Sequence, residues 1–337
     1  MTTLVALATK DALVLGCDSL GTVTKLMIDP WDLFGEFFEP EEDSRLKVDE
    51  DGKPLLKSFQ DIYNKSEMVP YNHMTHVSKL FPLDPLPMGV MVTGISSIGN
   101  RTIQSLILDF KGKEKVFKRK INYTVNSIAR KLLNFIMTYY EPEYSHRTYK
   151  PPLELMIGGY DRAKRVPYIY RIFVHRNETR QVFGGEAPFG IAFGGEMDEI
   201  QRIVFGTDDK NRENLRNRVN ILLDNYHYLL QNYLTEKGIS EELPKVDNFG
   251  DQLKLFKDWR LTEFNANWGD FSNQNAIECV NWFVGIMIRS HEFSSRLPTV
   301  GGKIHLGLIT KDNGFAFVSK EAYVHEGHET PMEEIAK

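Results

Sequence analysis

Cysteine is scarce in this chain: only Cys17 and Cys279 occur, far apart in sequence. Two distant thiols cannot build a disulfide framework, and a reducing cytosol is the expected home. A basic excess is also missing. Forty-one Lys and Arg face 46 Asp and Glu, for a net charge of −5, so the positive face of a nucleic-acid binder is not expected. No window reaches the roughly 18 apolar residues of a membrane span. The opening residues, Met1 to Thr9, lack the basic lead of a signal peptide, and their apolar run is short. Neither an internal repeat nor a low-complexity tract is present. There is no Gly-x-Ser-x-Gly elbow, and no histidine pairs with an obvious Ser or Cys nucleophile. What remains is an ordinary globular composition, 42% hydrophobic over 337 residues. The expectation is a soluble cytoplasmic protein with no nucleic-acid or membrane partner.

The pattern along the chain alternates strands and helices. Thr2 to Thr9 and Ala12 to Gly16 are apolar strand runs joined at Lys10-Asp11, which reads as a two-residue hairpin turn. From Leu26 to Asn72 acidic clusters alternate with Trp31, Phe34, Phe37 and Phe38, the mark of a partly helical insertion with a solvated acidic middle. Strands are expected at Met74 to Pro82 and Gly89 to Thr93. Ser96-Ser97 can cap a helix running to about Phe110. Val125, Ile128, Leu132, Leu133 and Ile136 predict a second helix over Asn122 to Tyr140. Strands follow at Leu153 to Gly158, Tyr168 to Val174, Arg180 to Phe183 and Gly190 to Phe193. Helical signals begin at Glu196, recur over Leu215 to Leu234 and, past a mixed stretch from Ile239 to Asp270, over Asn275 to Arg289. Strands at Lys303 to Thr310 and Gly314 to Ser319 precede a polar, loose tail from Tyr323. This order favours one α+β domain, 1–337, of sheets covered by helices, with two insertions.

A hydroxyl nucleophile needs a base, and an N-terminal residue carries one in its own α-amine. Such an amine titrates at about 7.7–8.0 and can serve without histidine. Met1 precedes the small residue Thr2, a pattern that favours methionine removal, and a buried hairpin follows at once. Lys79 lies in the apolar run His76-Val77-Ser78-Lys79-Leu80-Phe81. A buried ammonium there would need a carboxylate, and Asp18, after the second strand, is a candidate partner. An exposed lysine is the alternative.

Thr-Thr-Leu-Val-Ala, Val-Leu-Gly-Cys-Asp-Ser, Ser-Lys-Leu-Phe and Val-Met-Val-Thr-Gly-Ile-Ser-Ser together resemble the start of proteasome β-subunits and their bacterial relatives. Phe193-Gly194-Gly195-Glu196 resembles the family's Gly-Ser turn, and Val300-Gly301-Gly302-Lys303-Ile304 its Ser-Gly-Gly turn. The resemblance covers roughly 200 residues by the family's usual domain size. The remainder forms insertions at about 26–72 and 207–272. It implies a four-layer αββα sandwich of the N-terminal-nucleophile (Ntn) hydrolase type.

The resemblance also implies roles. Thr2 would be the nucleophile and its amine the base. Lys79, anchored by Asp18, would hold positive charge beside it, and the Gly94 N–H would bind the oxyanion. Thr22 would pair with an extended substrate, and Gly21, Val77, Phe81, Val92 and Ser96 would line an apolar specificity pocket. The family implies a threonine-type endopeptidase working on peptides or unfolded proteins inside a homo-oligomeric ring, with no cofactor. An Ntn amidase acting on a small amide and a non-catalytic ring subunit are the alternatives.

Two positions depart from the family pattern. Gly195 stands where the family has serine. No aspartate precedes the Gly301-Gly302 turn, where Ser294, Ser295 or Thr299 could substitute. Among the remaining signals, His325 and His328 lie in the polar tail without further ligands, so no metal site is expected. Asn122-Tyr123-Thr124 is a glycosylation sequon without meaning in the cytosol. The stripe Tyr226, Tyr228, Leu229 and Tyr233 reads as packing.

Overall fold

In the first strand, β1 (Thr3–Ala8), all six residues are buried, so this strand must be covered on both faces. The same holds for β2 (Leu13–Cys17), which pairs with it in antiparallel register, Ala8 opposite Leu13. Thr9 closes their connection: its N–H donates to the Ala12 carbonyl at 2.9 Å, and its hydroxyl accepts from the Ala12 N–H at 3.1 Å. The turn therefore spans Thr9 to Ala12 rather than Lys10-Asp11 alone, because a threonine hydroxyl substitutes for a backbone acceptor. A computed structural model describes residues 2–27, 47–53, 55, 67–118, 122–147, 150–186, 189–238, 264, 266–294, 298–320, 323–325 and 328–330.

The strands form two five-stranded antiparallel sheets. The first runs β12 (Gly190–Gly195), β1, β2, β13 (His305–Thr310), β14 (Gly314–Ser319). The second runs β11 (Glu178–Phe183), β10 (Pro167–Phe173), β9 (Leu153–Tyr160), β6 (Met88–Gly94), β5 (Leu80–Pro82). Leu4, Ala6 and Leu15 of the first sheet share one apolar cluster with Met91, Met156 and Ile169 of the second. The opposite face of the first sheet, through Val5, Leu7 and Phe193, packs on two helices, α3 (Asp198–Phe205) and α5 (Asn273–Glu292). Val90, Leu155 and Ile172 of the second sheet pack on α1 (Ile103–Lys113) and α2 (Val125–Tyr144). Fully apolar strands are thus explained by two-sided cover, and the helices bury the faces that their three-to-four periodicity defines.

Helix starts follow capping chemistry. Thr124 caps α2 in a reciprocal box with Ser127, and Ser272 caps α5. For α1 the cap is Thr102, whose side chain accepts from the Ser105 N–H, not Ser96 or Ser97. Ser97 lies instead in a two-residue ribbon, β7 (Ser97–Ile98) with β8 (Arg101–Thr102). Strand signal at Met74 to Pro82 is also divided. β3 (Gly21–Met27) pairs with β4 (Glu67–Met74), His76 turns the chain at φ 63°, and β5 begins only at Leu80. Helix α3 starts at Asp198, two residues beyond Glu196, because Gly195 and Glu196 are held by the strand pair.

Helix α4 (Asp209–Glu236) has no buried residue. Tyr226 (62%), Tyr228 (66%), Leu229 (64%) and Tyr233 (54%) are exposed, so the stripe does not pack on the domain as expected. Periodicity identified the helix, but it cannot say whether an apolar face meets its own chain. The expected helices of the first insertion and most of 239–270 lie outside the described residues. β15 (Tyr323–His325) and β16 (His328–Thr330) form a small ribbon where a loose tail was expected.

Candidate active site

β2 ends at Cys17 and delivers Asp18, fully buried, to one end of the first sheet. Its Oδ1 accepts from the Thr3 N–H at 3.1 Å and from Lys79 Nζ at 3.0 Å. Its Oδ2 accepts from Lys79 Nζ at 3.0 Å, the Leu20 N–H at 3.2 Å and the Gly301 N–H at 3.1 Å. Lys79, 6% exposed, also donates to the Leu20 carbonyl at 2.6 Å. Desolvating both charges is costly, and a salt bridge alone rarely offsets it. Here the carboxylate also has three backbone donors and the ammonium a carbonyl, which is the satisfaction a buried ion pair requires. The Ser19 and Leu20 N–H groups donate to the Gly301 carbonyl at 3.1 and 2.9 Å, so the Gly301-Gly302 turn clamps the same corner.

Thr2 is buried at this corner. Oδ1 of Asp18 bonds both Thr3 and Lys79, so the ammonium lies no more than two hydrogen bonds from the backbone beside Thr2. On its other side, the Thr2 carbonyl accepts from the Glu196 N–H at 2.8 Å. The Thr3 hydroxyl donates to the Glu196 carbonyl at 2.9 Å. This double contact extends the β1–β12 ladder, in which Thr3 opposes Gly195. Gly195 has φ +70°, and a Cβ there would collide with the Thr2 carbonyl oxygen. The same Cβ position is 3.1 Å from Thr93 Oγ1, which brings the end of β6 to the corner. Gly94 follows at φ +104°, where a Cβ would strike the Pro152 carbonyl; only glycine fits both positions.

Gly21 lies against Val77 and Met74, and the Val77 N–H donates to the Ser19 carbonyl at 3.0 Å. Thr22 opposes His73 in the β3–β4 ribbon. Phe81 and Val92 are buried in the cluster under α1 and α2, and Ser96, exposed, accepts from the Ile103 N–H. The described arrangement thus gathers Thr2, Asp18 and Lys79, with Gly94 one residue beyond Thr93. Ser294 is exposed just past α5, its N–H on the His291 carbonyl, and Ser295 lies outside the described residues.

Glu196, His291 and Glu154 at the corner were not singled out from the sequence, whereas Thr299 was a candidate substitute for the absent aspartate. Glu196 was visible only as the residue after a glycine turn. Burial raises its pKa above the usual carboxylate value; His291 opposes this, and Asp198 and Glu199 add to it. Thr299, buried before the Gly301-Gly302 turn, has its hydroxyl 3.3 Å from His291 Nδ1. Glu154 forms a two-point ion pair with Arg171, at 2.6 and 2.9 Å, close to Gly194. The alternation of charge with apolar residues in β9 and β10 was the available signal for that pair. Burial, then the Asp18 carboxylate, push the Cys17 thiol far above its ordinary range, with Lys79 opposing, which leaves it inert as a nucleophile.

Among the described residues no group of three or more His, Cys, Asp or Glu is placed to hold a metal ion. No helix there is long and apolar enough to cross a membrane. The chain matches no family model and no curated protein. Among solved structures it is similar to a Gly-1 mutant of Anbu from Hyphomicrobium sp. strain MC1, at 10% identity and TM-score 0.45, covering 95% of this chain and 86% of that one. The helical assembly of the Anbu complex from Pseudomonas aeruginosa matches at 14% identity and TM-score 0.45, covering 98% and 87%. Anbu, an ancestral β-subunit, from Yersinia bercovieri matches at 9% identity and TM-score 0.43, covering 94% and 87%.

Proposed function

We propose that this chain is a threonine-type hydrolase of the N-terminal-nucleophile class, a single four-layer αββα domain with insertions at about 26–72 and 207–272, that cleaves peptide bonds. The observation that carries this reading is the buried Lys79–Asp18 pair, bonded through Asp18 to the residue next to a buried Thr2. A buried ion pair is weak evidence for stability, and its position beside the backbone that follows Thr2 fits catalysis. With Met1 removed, the Thr2 hydroxyl attacks the scissile carbonyl while its proton passes to the Thr2 amine. Lys79 stabilises the developing alkoxide and Gly94 offers its N–H to the oxyanion; one such donor lowers a barrier by roughly 2.7–4 kcal/mol. The ammonium then protonates the leaving amine as the C–N bond breaks. Water, deprotonated by the regenerated amine, hydrolyses the ester.

Thr22 pairs with the extended substrate backbone. The proposed pocket residues Gly21, Val77, Phe81, Val92 and Ser96 are uncharged, so an apolar substrate residue is expected before the cut. A charged residue buried there would be left unpaired. A fluorogenic peptide panel tests the reading. Turnover is expected after Leu, Phe or Tyr and is lost in Thr2→Ala. Equal turnover by Thr2→Ala overturns it, and faster cleavage after Arg or Glu overturns the pocket.

The protein is further proposed to self-associate. On α4, Leu215, Val219, Leu222, Tyr226, Leu229 and Tyr233 recur at alternating spacings of four and three, the seam of a coiled coil. Five of these six are exposed.

A further inference from the structure

The backbone of an acidic residue, Glu196, is docked on Thr2 and Thr3. Glu196 donates its N–H to the Thr2 carbonyl at 2.8 Å and accepts the Thr3 hydroxyl at 2.9 Å. Its backbone is therefore fixed against Thr2 and Thr3. Its side chain is half-buried. Gly195, at φ +70°, precedes it and stays in register opposite Thr3, so Glu196 is the residue that extends the ladder past Thr3 to Thr2. His291 of α5 acts on its charge, as do Asp198 and Glu199 of α3. The Thr299 hydroxyl, 3.3 Å away, holds the His291 ring. Glu199 is itself engaged by the Ser290 hydroxyl at 2.6 Å and by Arg202 at 3.9 Å. On the β2 side of β1, Asp18, paired with Lys79, accepts the Thr3 N–H.

We propose that Glu196, docked on Thr2 through its backbone, is a positioning residue that sets the charge of the Thr2 amine. The inference rests on the nucleophile reading above and deepens it. An amine base must be neutral before attack and must accept a proton during it. Lys79 favours the neutral amine; a carboxylate favours the ammonium once the hydroxyl proton has moved. Glu196 thereby balances Lys79 across Thr2. It supplies the negative charge that the missing aspartate before Gly301-Gly302 does not.

The test measures the amine directly. The chain is released from an N-terminal ubiquitin fusion so that Thr2 is its first residue. Limiting acetic anhydride is added across a pH series, and acetylation of the Thr2 amine is quantified by mass spectrometry. The midpoint is expected to fall by about one pH unit in Glu196→Gln, as removal of a nearby carboxylate requires. Glu196→Asp keeps the charge with a shorter reach and is expected to lie between the two. Thermal melts of all three chains verify folding. An Asp198→Asn chain, which keeps Glu196, is expected to retain the wild-type midpoint. Identical midpoints in wild type and Glu196→Gln, or a shift in Asp198→Asn equal to that in Glu196→Gln, would overturn the proposal. Failure of the nucleophile reading looks different: peptide turnover survives Thr2→Ala while the midpoint still moves with Glu196.

Discussion

The Gly195 backbone leaves no room for a side chain above the Thr2 carbonyl oxygen: at φ +70° a Cβ would overlap it. A glycine at position 195 is thus required by the way this chain closes its corner. Gly195→Ser is expected to destabilise the fold by about 1–3 kcal/mol through backbone strain alone. Peptide turnover should be lost as well, because the Thr2 carbonyl must move. Urea unfolding and peptide kinetics measure both. A Gly195→Ser chain with wild-type stability and turnover would show that the corner tolerates the side chain.

Lys79 and Asp18 separate catalysis from stability. Lys79→Met leaves a buried carboxylate with three backbone donors but no counter-charge, and a loss of about 3–5 kcal/mol is expected. The double variant Lys79→Met with Asp18→Asn removes both charges and should recover part of that stability. Activity should stay down by about 100-fold or more in both variants, since the charge that stabilises the alkoxide is gone in each. Denaturant midpoints and kcat/KM on one peptide distinguish the two effects. Recovery of turnover in the double variant would remove Lys79 from the mechanism.

Glu196 makes stability depend on pH with a definite sign. Its pKa is raised in the folded state above 4.5, mainly by burial. The folded state therefore binds more protons than the unfolded one above that pH, and the contribution is lost as pH rises through the folded pKa. Glu196→Gln has no such titration. The variant should gain stability relative to wild type on going from about pH 4 to about pH 7, as proton linkage requires. Parallel urea titrations check the sign; a gap that moves the other way would contradict burial as the dominant influence.

The exposed seam of α4 gives a test of assembly. Leu222 (67%) and Leu229 (64%) make little contact with their own chain. Leu222→Glu with Leu229→Glu should leave the isolated domain's stability within about 0.5 kcal/mol per site while dissociating the oligomer. Light scattering on both chains reads the change. An unchanged oligomeric mass would place the interface elsewhere.

Much of this corner was legible from local sequence. The apolar runs of β1 and β2, the glycine after Thr93 and a lysine among Val, Leu and Phe carry their reasons within a few residues. What was not legible depends on distant packing. His291 acts on the Glu196 charge only because α5 packs on the first sheet beside α3. Glu154 and Arg171 become a pair only through the β9–β10 register. His76 takes a left-handed φ that no propensity for strand anticipates, and it divides one expected strand into two. On α4 the period of the apolar residues was plain, but which side of the helix meets the protein is a tertiary fact.

Thr2 is proposed as the nucleophile, its amine freed by removal of Met1. The most direct measurement is the mass of the purified chain before and after treatment with a peptide vinyl sulfone carrying an apolar residue next to the warhead, followed by fragmentation. A chain lacking Met1, modified once and on the Thr2 hydroxyl, with no adduct in Lys79→Met, is the expected result. Retention of Met1 on material that hydrolyses peptides, or an adduct located on any other residue, would contradict it.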